Sequence, residues 1–154
     1  RNFSKVVTRV RFPSLAQKGS RLVYNHNMQY KKISTVLIWS ENWRQLADWY
    51  QSTLDLKVIE EINHPQDTGR LFQFPEGGTT LWIGQHSEVR GQSKDPSRIM
   101  FNIPVDSVKQ AYDELISKGV KFIAAPFKAP TFDKWFATFS DLDGNLVQLI
   151  GPKE

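Results

Sequence analysis

Asp55-Leu-Lys-Val-Ile59 and Gly119-Val-Lys-Phe-Ile123 carry one pattern twice, 64 residues apart. Each closes a helical periodicity and opens a strand. Before the first, Trp43, Leu46, Ala47, Tyr50 and Leu54 recur at helical spacing, with Ser40 or Asn42 able to cap the start. Before the second, Val108, Ala111, Tyr112, Leu115 and Ile116 share one face, Asp106 stands at the cap, and Gly119 suits a left-handed terminus. Trp43 and Tyr50 belong to the core face of the first helix. Trp49 falls off that face and is a candidate contact with another copy.

Working outward, Ile33–Trp39 is β-branched and aromatic and reads as a strand. Lys57–Ile62 is a short strand and His64–Gly69 is turn chemistry. Arg70–Phe74 and Thr79–Gly84 form a hairpin about Pro75–Gly78. After a polar linker, Gln85–Pro96, the order recurs. Arg98–Ile103 is a strand, the second helix follows, and Val120–Ala124 is a strand. Next comes a loop holding Pro126 and Pro130, and then Trp135–Ser140 and Asn145–Ile150 about Asp143-Gly144. The hairpins align at an offset of 66, placing Gly78 on Gly144 and Trp82 on Gln148. The pattern predicts an α+β fold of two βαβββ modules, about 32–86 and 97–152, in one domain spanning 29–154. A single module cannot bury both faces of its sheet, so the two must pair, as a curved mixed sheet around a cleft.

The chain has 154 residues, 20 Lys+Arg and 16 Asp+Glu. Its net charge of +4 is uneven. Arg1, Lys5, Arg9, Arg11, Lys18 and Arg21 precede Met28 with no acid among them, which leaves 14 basic and 16 acidic residues, or −2, in the rest. A nucleic-acid partner for the whole chain therefore loses its support, although the basic segment alone remains a candidate arm. Residues 1–28 read as a basic leader, a tail, or sequence upstream of a start at Met28. There is no cysteine, which excludes disulfides, thiolate zinc sites and a cysteine nucleophile, and is compatible with the cytoplasm. No apolar run approaches the ~20 residues of a membrane span.

Leu46-Ala-Asp-Trp-Tyr50 with Leu54-Asp-Leu-Lys-Val58, Arg98-Ile-Met-Phe101 with Asp106 and Gly119-Val120, and Phe139-Ser-Asp-Leu-Asp-Gly-Asn145-Leu-Val-Gln-Leu149 together resemble the vicinal-oxygen-chelate superfamily. That superfamily includes glyoxalase I, the bleomycin- and fosfomycin-resistance proteins and the extradiol dioxygenases. The resemblance covers about residues 30–152, with Leu142 where the superfamily usually has proline and Asp55 where it usually has glycine. It implies a divalent metal held by four strand positions, which correspond here to Thr35, Trp82, Arg98 and Gln148. Imidazole and carboxylate are the groups such a site needs. None of the four supplies either, so no metal and no cofactor is expected. The alternative is a lyase, isomerase or dioxygenase with a non-standard divalent-metal site, drawing on His86 or Glu88.

Residues two apart on a strand share a face. If Thr35 faces the cleft, so do Leu37 and Trp39. If Arg98 does, so do Met100 and Asn102. The ligand-binding set expected is then Thr35, Leu37, Trp39, Trp82, Arg98, Met100, Asn102 and Gln148, with apolar walls and a few orienting polar groups. Trp39 and Trp82 suit a planar aromatic ligand, and Arg98 suits an anion. The competing expectation is that these side chains simply close the cleft as core. His64 and His86 read as surface residues, and Asp141–Gly144 as a hairpin turn. The expectation is thus a cytoplasmic, small-molecule-binding protein with no membrane or nucleic-acid partner, and the resemblance implies a homodimer similar to the branch that sequesters a ligand without chemistry.

Overall fold

A computed structural model of the chain describes residues 31–131 and 133–154. The basic segment 1–28 lies outside the described residues.

The first module runs β1 (Thr35–Trp39), α1 (Trp43–Leu54), β2 (Lys57–His64), β3 (Asp67–Gln73) and β4 (Thr80–Gly84). The second runs β5 (Met100–Pro104), α2 (Val108–Ser117), β6 (Lys121–Lys128), β7 (Trp135–Ser140) and β8 (Leu146–Gly151). Each module forms its own four-stranded mixed sheet, in the orders β1-β4-β3-β2 and β5-β8-β7-β6. β1 pairs with β4 and β5 with β8 in parallel, while the other pairs are antiparallel. This is the repeated βαβββ fold that the sequence predicts.

Several local elements differ from the sequence reading. Ser107, not Asp106, caps α2, its hydroxyl accepting from Gln110 N at 3.1 Å. Asn42 stands at the cap of α1 without a side-chain bond, while Ser40 Oγ accepts from Asn42 N. The His64–Gly69 turn shrinks to Pro65 and Gln66, because Asp67, Thr68 and Gly69 already pair with β2. Pro126 sits inside β6, not in a loop. It falls where the register with β7 shifts, a place where a missing N–H is tolerated.

One core joins the modules. Trp43, Leu46, Ala47 and Tyr50 of α1 pack in the same cluster as Val108 and Leu115 of α2, Phe139 of β7, and Val147 and Leu149 of β8. Trp49, expected as a contact with another copy, is instead half-buried, edge-on to Tyr50 at 5.0 Å and 6.3 Å from the Phe139 ring. Tyr50 OH donates to Asp141 Oδ2 at 2.9 Å across the module boundary. Lys118 Nζ crosses it in the other direction, donating to Thr53 O at 3.1 Å at the C-terminal end of α1, where the helix dipole favours a cation. Among the described residues no helix is long and apolar enough to cross a membrane.

Candidate functional site

Alternation along the strands divides each sheet into a face toward the helices and an open face. In the first module Val36, Ile38, Phe72, Leu81 and Ile83 point to the core. Thr35, Leu37, Trp39, Gln73, Thr80 and Trp82 therefore share the open face. In the second module Ala137, Phe139, Val147 and Leu149 point inward, leaving Met100, Asn102, Phe136, Thr138 and Gln148 on the open face. Seven of the eight ligand-binding residues expected from sequence thus occupy open faces. They form two groups, one per sheet.

In the first group, Thr35 and Thr80 are register partners with their hydroxyl oxygens 2.9 Å apart. Leu37 stands opposite Trp82 and is 55% exposed. Trp82 is 93% buried (7% exposed), and its indole packs against two glycines, Gly69 and Gly84, which face each other across β3 and β4. A Cβ at Gly69 would stand 2.4 Å from Trp82 Cζ2, and one at Gly84 2.4 Å from Trp82 Nε1. Neither glycine has positive φ, so the demand here is for space rather than for backbone freedom. Trp82 Nε1 and Gln73 Nε2 are buried donors with no hydrogen-bond partner. Gln73 was absent from the sequence expectation. It lay inside the strand expected at Arg70–Phe74, and as the register partner of Thr80 it shares the face of Thr35 and Trp82. Trp39 is half-buried, its ring 5.4 Å from that of His86.

In the second group, Asn102 is the register partner of Gln148, and Gln148 Nε2 donates to Thr138 Oγ1 at 3.0 Å. Met100 is 43% exposed. Phe127 stacks on Phe136 at 5.7 Å and extends this face toward β6.

Arg98 is the residue the structure places elsewhere. It lies in the turn before β5, with its side chain 77% exposed and its guanidinium 2.7 Å from Asp95. Thr35 opens β1 seven residues before Asn42, and Met100 opens β5 seven residues before Ser107, so Met100 is the structural equivalent of Thr35. The strand positions that correspond to the metal ligands then hold Thr, Trp, Met and Gln. No three His, Asp or Glu side chains come together as a metal-holding group among the described residues. His64 and His86 are exposed, and each Nδ1 accepts a backbone N–H two residues on. The donor set does not fit the divalent metal that the fold implies.

Asp141 organises the turn between β7 and β8. Its Oδ1 accepts from Asp143 N at 2.9 Å and Asn145 N at 2.8 Å, and its Oδ2 accepts from Asn145 Nδ2 at 2.9 Å as well as from Tyr50. Burial raises the Asp141 carboxyl above its ordinary value, against these hydrogen bonds, which lower it. The Tyr50 hydroxyl is raised well above its ordinary value by burial and then by the Asp141 charge. The Asp-Leu-Asp-Gly-Asn sequence is therefore a structural clasp between modules.

The same arrangement recurs in solved structures. A glyoxalase family protein from Enterococcus faecalis superposes with a TM-score of 0.68 at 20% identity, over 80% of this chain and 99% of that one. A glyoxalase/bleomycin resistance protein/dioxygenase superfamily member from Sphaerobacter thermophilus DSM 20745 gives 0.67 at 20% identity, over 79% and 98%. TnmS3, an antibiotic binding protein from Streptomyces sp. CB03234, gives 0.66 at 18% identity, over 82% and 99%. At these identities the likeness is one of fold. No curated protein matches the chain in sequence. The family model for this fold, however, matches residues 32–149, both modules and the clasp included. With its paired βαβββ units, its open sheet faces and this match, the chain belongs to the Glyoxalase/Bleomycin resistance protein/Dioxygenase superfamily.

Proposed function

We propose that this protein binds a small organic molecule on its open sheet faces without using a metal, and that it works as a cytoplasmic homodimer. One observation carries the reading. The positions that would hold the metal carry Thr35, Trp82, Met100 and Gln148, which offer hydrogen bonds and apolar surface rather than imidazole or carboxylate. Thr35, Thr80 and Gln148 put polar groups on these faces, which suits a ligand that carries hydrogen-bonding atoms. Trp39 supplies the aromatic surface. Arg98, neutralised by Asp95, gives these faces no net positive charge, so the expected preference for an anion loses its support. That TnmS3 is an antibiotic binding protein favours sequestration as the role of this fold here too.

Leu37, Met100 and Phe127 are large apolar side chains exposed on open faces. A second copy would cover them and close the site from both sides. Native mass spectrometry of the purified protein is expected to show a dimer with no stoichiometric divalent metal. A tightly held zinc, nickel, manganese or iron, with a micromolar or lower dissociation constant, would overturn the metal-free reading. Leu37→Glu is expected to weaken the dimer at least tenfold in sedimentation equilibrium, since it would bury a charge without a partner. An unchanged dimer would remove this face from the interface.

A further inference from the structure

One cavity of the described domain is centred away from the open faces. It lies between the modules, on the side where the sheets meet the helices, and has a volume of about 680 Å³. Its deep wall is apolar: Val36 and Leu81 from the first sheet, Phe101 and Ile103 from β5, and Ala111 and Leu115 from α2. Of the eight residues expected to bind a ligand, only Asn102 reaches it. The size is that of a pocket for a drug-sized molecule.

The charged residues that line it are Asp55, Glu76, Glu114 and Lys118. Lys118 is already committed. Its Nζ is 2.7 Å from Glu114 Oε1 and donates to Thr53 O, so that pair is internally neutral. Asp55 ends α1 in the left-handed conformation, with φ of 52°, and Glu76 lies in the turn between β3 and β4. Neither has an ion-pair partner among the described residues, and both are exposed. The cavity thus joins a deep apolar wall to a rim with two uncompensated carboxylates.

We infer that this inter-module cavity is a second binding site, for an organic cation with an apolar body. Burial of an aliphatic or aromatic group against Phe101, Ile103 and Leu115 supplies most of the affinity. The ammonium stays at the rim, hydrated and within the field of Asp55 and Glu76, so the charge selects without being desolvated. The site meets the open faces only at Thr80 and Asn102, and it does not depend on the role proposed for those faces.

The test uses 4-phenylbutylammonium, with 4-phenylbutanol and 4-phenylbutanoate as neutral and anionic probes of similar size, in calorimetry and amide-shift mapping of the full chain. The ammonium is expected to bind best, to weaken as salt is raised, and to shift Leu54, Phe101 and Leu115. Glu76→Gln and Asp55→Asn, surface changes that leave the core untouched, should each lower its affinity about threefold, the scale of an exposed ion pair. The same variants should leave the alcohol unaffected. Ala111→Phe fills the cavity and should abolish binding of all three. Equal binding of the three probes, or none at millimolar concentration, overturns the inference. So does a shift map centred on Trp39, Gln73 and Gln148, which would move the probe to the open faces and leave the proposed function standing. A change in dimerisation caused by Ala111→Phe would make the cavity a contact between copies and equally refute it.

Discussion

Asp141→Ala is expected to lower the unfolding free energy of the domain by roughly 3–5 kcal/mol, a large share of the ~5–15 kcal/mol that a domain possesses. Four donors lose their acceptor at once: Tyr50 OH, Asn145 Nδ2 and the amides of Asp143 and Asn145. The amides lie near the surface and recover water. The Tyr50 hydroxyl belongs to a fully buried residue and does not. Tyr50→Phe removes the donor together with its bond and should cost only about 1 kcal/mol. Urea unfolding of both single variants and the double variant measures the coupling between them. A loss below about 1 kcal/mol for Asp141→Ala would show that the clasp does not hold the modules.

The clasp also carries a pH signature. In the folded state the Asp141 carboxyl titrates above its ordinary value. Between the ordinary and the raised value the native state binds more protons than the unfolded one, so stability from this group falls as pH rises through that window. Asp141→Asn cannot titrate. The stability advantage of the natural protein over Asp141→Asn is therefore expected to be greatest at acid pH and to shrink toward neutrality. An advantage that grows with pH would contradict the burial argument.

Gly69→Ala is expected to cost about 1–3 kcal/mol, through overpacking rather than lost flexibility. The new Cβ meets Trp82 Cζ2 at 2.4 Å and the backbone at Gly84 Cα and Ile83 O, both at 2.7 Å. The indole must lift and β3 and β4 must also part locally, because two of the three contacts are to backbone. Gly84→Ala acts on the same ring from the other strand, against Trp82 Nε1 and Thr68 O. The two changes should therefore be non-additive by at least 0.5 kcal/mol, as for residues with a shared partner. Thermal unfolding of the three variants gives the answer. Strict additivity would mean that Trp82 does not bridge the two glycines. Lifting Trp82 also exposes its unpartnered Nε1, so altered ligand affinity should accompany the lost stability.

What was legible in the sequence follows from how local the signals are. The helix faces of α1 and α2 were written in their own periodicity, and Gly119 ends α2 at φ of 81° as its lack of a Cβ suggests. The repeat about Asp55 and Gly119 gave the module order. What failed depended on neighbours distant in sequence. Gly69 looked like turn chemistry because it follows Pro65 and Asp67, yet it is a strand residue kept small by Trp82, thirteen positions on. Pro126 looked like a loop because a proline in a ladder is costly, and only the bulge against β7 makes room for it. Trp49 looked exposed from the helix alone, because Phe139, which partly covers it, comes from the other module. Arg98 looked like a strand residue because Ile99 and Met100 follow it. Its pairing with Asp95 shows that the turn had not yet ended.

The irregularities of β2 and β6 bear on how the sheets end. Among the described residues the three register shifts fall on these edge strands, between Val58 and Glu60 on β2 and on either side of Ala124 on β6. Exposed charges stand there too: Lys57, Glu60 and Glu61 on β2, and Lys121 and Lys128 on β6. A stray strand from solution therefore meets a bent, charged ladder, and on β6 one that lacks an N–H at Pro126. The opposite edges, β1 and β5, are regular throughout. Uncontrolled sheet growth into fibrils is thus disfavoured at the β2 and β6 edges.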